Sequence, residues 1–318
     1  MPVGEGLRRV AAIDLGTNST HLLIASVDPQ LRTFQVLLAE KSTTRLGERD
    51  PDTGDLSPEA MERARLALRH CRELASSHDV EEIVCVATSA MREAPNGLAF
   101  LEEVERDFGL KTEVISGPEE ARLIYLGVLS GMDFAEQPHY ILDIGGGSTE
   151  LILADAGDAR ALTSSRVGAV RLQRDFIRQE PLDRKRVQFL RAFIQGSMEP
   201  AVEKVRRRLE PDETPVLVAT SGTAMAAAAL LAVDRPELNG RLHGAEFSRA
   251  ELDALVQRVL SLTPEERRAL PGINARRAEI IVPGLLVLQQ DMEMLGASHF
   301  VISDRALREG VIIDWMLR

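Results

Sequence analysis

The stretch that decides the fold is residues 143–150, with the sequence DIGGGSTE. It joins two apolar segments, 140–143 and 150–154, which have the length and composition of strands. Its three consecutive glycines let the backbone approach an oxyanion closely and turn successive N–H groups inward, which forms a nest for phosphate. The stretch therefore predicts a tight turn at an anion-binding edge of an α/β sheet.

This turn offers candidate ligands for phosphate and for a metal ion. Asp143 and Glu150 lie at its opposite ends on neighbouring strands, so we expect both carboxylates near one hard divalent cation, with Mg²⁺ that keeps several waters as the expected ion. A flexible hairpin with a structural aspartate is the alternative interpretation. The expected phosphate ligands are Gly145, Gly146, Gly147 and Ser148.

A second turn near the N-terminus repeats the pattern. Residues 14–20, DLGTNST, share the pattern Asp-x-Gly-x-x-Ser-Thr with residues 143–149 and also lie between two predicted strands. A polar hairpin turn would look the same, and the echo of the glycine-rich loop is what favours a second wall of the phosphate site. The residues predicted for this wall are Asp14, Gly16, Thr17, Asn18 and Ser19.

Further echoes indicate a gene duplication. The order βββαβαβ can be read in the first half and again, with extra helices, in the second half. ATSA at 87–90 is echoed by ATSG at 219–222, and VIS at 114–116 is repeated at 301–303. We therefore predict an α/β fold of two duplicated domains, residues 1–122 with a C-terminal helix 304–318, and residues 123–303. The two Asp-x-Gly turns are expected to face each other across a cleft.

Composition limits the classes of function. The length of 318 residues favours two domains, and the net charge of −11 argues against general nucleic-acid binding. The start of the sequence has no secretory pattern, and the most apolar run, 224–233, is too short to span a bilayer, so we expect a soluble cytoplasmic protein without membrane contact. Cys71 and Cys85 lack metal-ligand spacing and are expected to be buried free thiols.

With these loops in place, two further motifs complete a resemblance. SGPEEAR at 116–122 and RAEIIVPG at 277–284 make the chain similar to the exopolyphosphatase and guanosine pentaphosphate phosphatase family, from residue 13 to residue 310. That family belongs to the superfamily of actin, sugar kinases and heat-shock ATPases, so the resemblance implies two actin-like, ribonuclease H-like domains. It also suggests a homodimer, in the short two-domain form of the family.

The resemblance assigns roles that the residues alone leave open. It implies that Glu120 is the catalytic base, although Glu119 and Glu120 also fit ordinary acids in the first turn of a helix. It places Arg92 on phosphate, where a solvated surface arginine is the alternative. The third loop of the family corresponds to Ser221, Gly222 and Thr223.

Two remaining features receive a plain interpretation. His78-Asp79 resembles a metal-binding doublet of longer family members, but it falls at a predicted helix end and is taken as incidental. The basic stretch KVRRR at 204–208 is expected to be a solvated helix face, with the tracking of a long polyphosphate as the alternative.

The residues and the resemblance together give a functional hypothesis. Inorganic polyphosphate is the expected substrate, and Glu120 positions or deprotonates the water that releases terminal orthophosphate. Asp143 and Glu150 complete the catalytic set by holding the metal. The rivals are a guanosine pentaphosphate 5′-phosphohydrolase, a non-hydrolytic actin-like nucleotide-binding or regulatory protein, and a sugar or acetate kinase, for which no acceptor pocket is evident.

Overall fold

Two mixed β-sheets form the frame of the protein, one of five strands and one of six. The computed structural model describes residues 6–134, 137–177 and 179–318. It separates into a first unit, residues 6–130 with Leu307–Arg318, and a second unit, Gly131–Ala306.

The first unit begins with a three-strand meander. Strands β1 (Arg8–Leu15), β2 (Thr20–Asp28) and β3 (Thr33–Ser42) are antiparallel, and β4 (Glu82–Ala87) and β5 (Thr112–Val114) extend the sheet in parallel from β1 in the order β3-β2-β1-β4-β5. The helices between these strands and after them are α1 (Pro58–Ser77), α2 (Ser89–Glu93), α3 (Gly97–Phe108) and α4 (Gly117–Leu129).

The second unit repeats this plan with insertions. Its strands are β6 (His139–Ile144), β7 (Thr149–Ala154), β8 (Ala159–Ser165), β9 (Val216–Thr220), β10 (Glu246–Ser248) and β11 (His299–Ile302). Its helices are α5 (Ala169–Phe176), α6 (Arg184–Arg206), α7 (Ser221–Leu231), α8 (Arg249–Ser261), α9 (Pro264–Arg268), α10 (Ala275–Ala278) and α11 (Ile281–Leu295), with 3₁₀ turns at Ala232–Asp234 and Pro236–Leu238. The last helix, α12 (Leu307–Leu317), returns to the first unit.

The strand order confirms the duplication. The second sheet runs β10-β11-β9-β6-β7-β8, so β8-β7-β6-β9-β11 repeats β3-β2-β1-β4-β5, and β10 adds an antiparallel edge strand. Both units have the α/β composition that the sequence predicts. The first echo is in register, because Leu15 faces Thr20 as Ile144 faces Thr149.

The other two echoes are displaced along their strands. Ala87 lies opposite Leu15, which corresponds to Ile144 in the second hairpin. Ala219, however, lies opposite Leu142, which is two residues before Ile144. In the last pair of strands Val114 lies opposite Ala87 and Ile302 lies opposite Ala219, so these two residues match only relative to the ATSA and ATSG echo. The repeated letters VIS are therefore offset by one residue between the two sheets.

Local sequence explains the first long helix. Ser57 caps α1 by accepting a hydrogen bond from the Ala60 N–H at 3.2 Å, and Pro58 occupies the first turn, as predicted. The buried face of α1 includes Cys71, which packs with Cys85 of β4 in the same core. Burial raises the pKa of each thiol to about 12, and the prediction of buried free thiols is confirmed.

The opposite face of the first sheet is covered by α12, which packs on β1, β2 and α4. Gly310 of α12 touches the Leu123 carbonyl of α4 so closely that a Cβ would overlap with it. Arg122 of α4 bonds Asp314 of α12 at 2.6 Å. Because α4 packs on α12, the first unit extends to Ser130 and resumes at Leu307, rather than ending at 122 and resuming at 304 as the sequence suggests.

A single large core fills the second unit beside its sheet. Helices α5, α6, α7, α8 and α11 pack around the side chains of β6 and β7. Helix α11 is buried on all sides from Ile281 to Met292, and it includes Asp291, whose two carboxylate oxygens have no hydrogen-bond partner in the described part of the chain. Helix α11 therefore lies in the core of the second unit.

Several short elements were not predicted. The sequence pattern does not predict α2, β10, α9 and α10 as separate elements, and the longest of these has five residues. Such pieces carry too few periodic positions to be recognised, and tertiary contacts decide them.

Candidate active site

The two Asp-x-Gly turns have the same backbone closure. In the first hairpin the Gly16 N–H donates to the Ser19 carbonyl at 3.0 Å, and in the second the Gly145 N–H donates to the Ser148 carbonyl at 3.0 Å. A Cβ would lie 3.0 Å from the carbonyl oxygen at Gly16 and 3.1 Å from it at Gly145. Both positions therefore favour glycine because of close backbone approach.

The residues predicted for the first hairpin lie together at the end of β1. Thr17 and Ser19 are buried, Asp14 and Asn18 are partly buried, and the Asn18 amide donates to the Ser19 hydroxyl at 3.3 Å. Residues 44–47 close over this turn, because the Thr44 and Arg45 N–H groups bind the Asn18 carbonyl and the Gly47 N–H binds the Thr17 carbonyl. The structure thus brings these predicted residues into one hairpin.

The two carboxylates of the second hairpin share one face of the sheet. Asp143 lies directly opposite Glu150 in the antiparallel β6–β7 pair, so their side chains are neighbours. Burial raises the pKa of Asp143 to about 6, against the effect of a hydrogen bond from the Ser221 hydroxyl. Glu150 is 1% exposed and accepts a hydrogen bond from the Ser164 hydroxyl at 2.7 Å.

The number and type of these carboxylate donors fit a magnesium ion. Mg²⁺ is usually bound by one or two carboxylates together with waters and phosphate oxygens, and the Asp143–Glu150 pair supplies that number. The burial that raises the pKa of Asp143 is a cost that a cation beside the ionised carboxylate would offset. Among the described residues no group of three or more His, Cys, Asp or Glu side chains forms a complete metal cage.

The two adjacent acids of the SGPEEAR motif, Glu119 and Glu120, contact different arginines. The Glu119 side chain points to Arg122 at 2.7 Å, in the network that also joins Asp314. The Glu120 side chain is only 9% exposed and accepts hydrogen bonds from both terminal nitrogens of Arg92 at 3.3 Å. Glu120 is therefore the buried acid of the pair.

Arg92 is positioned by α2 at the end of β4. Its guanidinium also donates to the Ile115 carbonyl at 2.6 Å and is 26% exposed, so it is not a freely solvated surface arginine. Ser116 caps α4 by accepting from the Glu119 N–H at 3.3 Å, which places Glu120 in the first turn. The carboxyl ends of β4 and β5 thus bring Arg92 and Glu120 together.

The third predicted loop lies beside the second hairpin. The Ser221 hydroxyl donates to the Ile144 carbonyl at 3.1 Å, and Ser221 has a φ of 66°, which is rare for a residue with a side chain. Thr223 is 1% exposed, and its hydroxyl has no hydrogen-bond partner among the residues that the structure describes. The hydroxyl of Thr223 thus retains its hydrogen-bonding capacity next to the start of α7.

Arg277 also lies on this loop, a contact that the sequence alone does not predict. A Cβ on Gly222 would lie 2.9 Å from Cζ of Arg277, so the guanidinium packs against the backbone of the loop. Burial lowers the pKa of Arg277 to about 10, which still leaves it charged near neutral pH. Its place in the RAEIIVPG motif was the signal that could have identified it.

The remaining features of the sequence have structural explanations. His78 ends α1 and bonds the Leu74 carbonyl at 2.9 Å through Nδ1, while Asp79 pairs with Arg9 at 3.2 Å. Lys204 and Arg207 bond the Leu162 carbonyl and Glu203. A cavity of about 500 Å³ at α5 and α6 is lined by none of the predicted site residues. In the described ranges, no helix has both the length and the apolarity needed to cross a membrane.

Comparison with known proteins identifies the family. The family model described as the Ppx/GppA phosphatase family matches residues 23–318, which is nearly the whole chain. The chain belongs to the Ppx/GppA phosphatase family. The resemblance that the sequence motifs indicate is therefore confirmed.

Relatives within the Ppx/GppA family match over almost their full length. The chain is 32% identical to Exopolyphosphatase 2 of Mycobacterium tuberculosis, with 97% of this chain and 98% of the relative covered. It is 30% identical to Exopolyphosphatase 1 of Mycobacterium leprae, with 96% and 88% covered.

Solved structures agree. An exopolyphosphatase from Cytophaga hutchinsonii matches with a TM-score of 0.88 at 25% identity, covering 97% of this chain and 98% of that one. The Ppx/GppA family member of Aquifex aeolicus matches with a TM-score of 0.80 at 29% identity, covering 98% of each chain.

Proposed function

We propose that this chain is an exopolyphosphatase that releases terminal orthophosphate from inorganic polyphosphate. The observation that carries the proposal is the buried Glu120–Arg92 pair at the start of α4, in a chain of the Ppx/GppA family. The names of the relatives support polyphosphate as the substrate.

In the proposed reaction Glu120 acts as the general base. Its carboxylate accepts a proton from a water molecule whose oxygen attacks the terminal phosphorus, and the bond from that phosphorus to the bridging oxygen breaks. The bridging oxygen leaves with the shortened chain, and orthophosphate carries the oxygen of the water. Arg92 orients Glu120 and supplies positive charge toward the transferred phosphoryl group.

The phosphate oxygens are proposed to bind backbone N–H groups and hydroxyls of the two hairpins. Ser19 and Ser148 lie at equivalent positions of these turns. Arg277 and Thr223 extend the set beside the second hairpin, where a more distal phosphate would meet a cation and a hydroxyl.

Mg²⁺ is the proposed cofactor, with Asp143 and Glu150 as its protein ligands. When bound, the ion would neutralise charge on the phosphate oxygens. Glu150 is held by the Ser164 hydroxyl, so this carboxylate is oriented before any ion binds.

The decisive experiment compares Glu120→Gln with Glu119→Gln, its neighbour in the same helical turn. We expect E120Q to lower phosphate release from polyphosphate on the order of 10²-fold to 10⁴-fold while binding of polyphosphate is retained, because the amide cannot accept the proton. E119Q should keep wild-type turnover within a few-fold. Turnover near the wild-type level in E120Q would reject the assignment of the base.

Substrate choice and assembly are tested separately. Guanosine pentaphosphate also ends in a phosphoanhydride, so phosphate release from it and from polyphosphate should be measured side by side. We expect polyphosphate to give the higher kcat/KM. The homodimer and the cytoplasmic location stay predictions, for which sedimentation of the purified chain and cell fractionation are the measurements.

A further inference from the structure

The start of α5 holds the carbonyl groups of the triple-glycine turn. The Ala169 N–H donates to the Gly145 carbonyl at 3.0 Å, and the Val170 and Arg171 N–H groups donate to the Gly146 carbonyl at 2.9 and 3.0 Å. The carbonyl of Gly147 is bound by a side chain, Nε of Arg171, at 2.9 Å. All three glycine carbonyls of the turn are therefore engaged by one short segment.

This arrangement fixes the direction of the N–H groups. In a trans peptide the C=O of one residue points opposite to the N–H of the next. Because the three carbonyls point toward α5, the N–H groups of Gly146, Gly147 and Ser148 point away from it, as a concave anion nest requires. Within the described residues, these three N–H groups donate to no backbone carbonyl.

Gly168 allows the segment to approach so closely. A Cβ at Gly168 would overlap with the Gly146 carbonyl and would lie 2.6 Å from the carbonyl carbon of Gly147. The first hairpin is closed in the same way, since N–H groups of residues 44, 45 and 47 bind the Thr17 and Asn18 carbonyls. In that hairpin backbone groups make all of these contacts, whereas in the second hairpin one contact depends on an arginine side chain.

We propose that Arg171 is a positioning residue for phosphate binding: by holding the Gly147 carbonyl, it orients the Ser148 N–H and its neighbours toward the substrate oxyanion. The proposal rests on the proposed function of this turn as a phosphate site. Without the guanidinium, the Gly147–Ser148 peptide can rotate, and its carbonyl oxygen would then repel the anion that its N–H should bind.

The test compares Arg171→Met, Arg171→Lys and a control in the same helix, Arg174→Met. Arg174 is 40% exposed and pairs with its neighbour Asp175. For polyphosphate hydrolysis we expect R171M to raise KM on the order of tenfold or more with a smaller change in kcat, because the N–H groups contact bound phosphate. R171K should recover part of this loss, because its ammonium group can still donate to a carbonyl, and R174M should match wild type.

A second readout separates positioning from a general loss of structure. Titration of the wild-type chain with inorganic phosphate should shift the backbone amide resonances of Gly146, Gly147 and Ser148, and the same titration of R171M should need a much higher phosphate concentration. A KM of R171M within twofold of wild type, or an unchanged phosphate titration, would overturn the proposal. If the wild-type chain releases no phosphate from polyphosphate while the titration still depends on Arg171, the proposed function fails and the positioning role stands.

Discussion

The side chains of the candidate site are distinguished by what they contact. Glu119 and Glu120 are adjacent in sequence and equal in type, but the first bonds Arg122 and the second bonds Arg92 in a buried position. Arg276 and Arg277 show the same contrast, since Arg276 is exposed and Arg277 packs on the loop of Gly222. Each pair thus provides a candidate and its own control.

The first prediction concerns Arg277. We expect Arg277→Ala to weaken polyphosphate binding by about 1.5–3 kcal/mol, which is about tenfold to a hundredfold in KM, because a charged hydrogen bond to phosphate is lost. Arg276→Ala should leave KM unchanged. Equal KM values for the two variants would exclude a substrate contact at Arg277.

The second prediction concerns Asp291 in the core of the second unit. Burial raises its pKa well above the ordinary value of 3.8, so the native state holds this proton where the unfolded state has released it. Stability from this group is complete below pH 4 and is lost as pH rises toward the folded pKa. In that window the native chain should lose about 1.4 kcal/mol of unfolding free energy per pH unit relative to Asp291→Asn.

Urea unfolding of wild type and D291N at several pH values is the measurement for Asp291. Asp212→Asn, at an exposed position, is the control and should follow wild type at every pH. A stability difference between D291N and wild type that stays constant from pH 4 to pH 8 would contradict the buried titration.

At the scale of elements, the close packing of α12 on α4 completes the first unit. Gly310 provides the clearance at this contact, since a side chain there would overlap with the Leu123 carbonyl. Gly196 lies within α6 and has open space where a Cβ would go. Close packing therefore requires glycine at position 310 but leaves room for a side chain at position 196.

The third prediction uses this pair of glycines. We expect Gly310→Ala to destabilise the protein by about 1–3 kcal/mol or more, because the added carbon overpacks the α4–α12 contact. Gly196→Ala should instead stabilise it by about 0.5–1 kcal/mol, because alanine loses less backbone entropy in a helix. Thermal unfolding of both variants gives the comparison, and a stabilising G310A would show that α12 does not pack on α4 in this way.

At the scale of the whole molecule, duplication gives the chain two hairpins with the same glycine N–H to serine carbonyl bond and two sheets that share an order of five strands. The two units differ in what surrounds the hairpins. The first presents a buried acid with its arginine, and the second presents a carboxylate pair and a glycine nest. The residues to which we propose catalytic and phosphate-binding roles thus occur in both repeats.

The fourth prediction tests whether both hairpins serve the same substrate molecule, as the sequence pattern predicts. Ser19→Ala and Ser148→Ala should each raise KM for polyphosphate, and the double variant should depart from additivity by at least about 0.5 kcal/mol if both hydroxyls contact one bound chain. The cycle is measured on kcat/KM. Strict additivity of the two substitutions would indicate that the hairpins act on separate ligands.

The sequence by itself determined the fold class, the duplication, the two hairpins and the family. Residues close along the chain encode these features. They include the apolar residues of a strand, the glycines of a turn and the capping residue of a helix. The short helices and β10 could not be predicted in this way.

Only the tertiary structure decided which side chains act together. It showed that Glu120 contacts Arg92, that Arg277 lies on the loop of Gly222, and that Arg171 binds the glycine turn. Arg92 and Glu120 are 28 residues apart. Contacts over such a separation depend on strand order, on sheet register and on which face of a helix is buried. The residues next to each contact in the sequence do not determine these features.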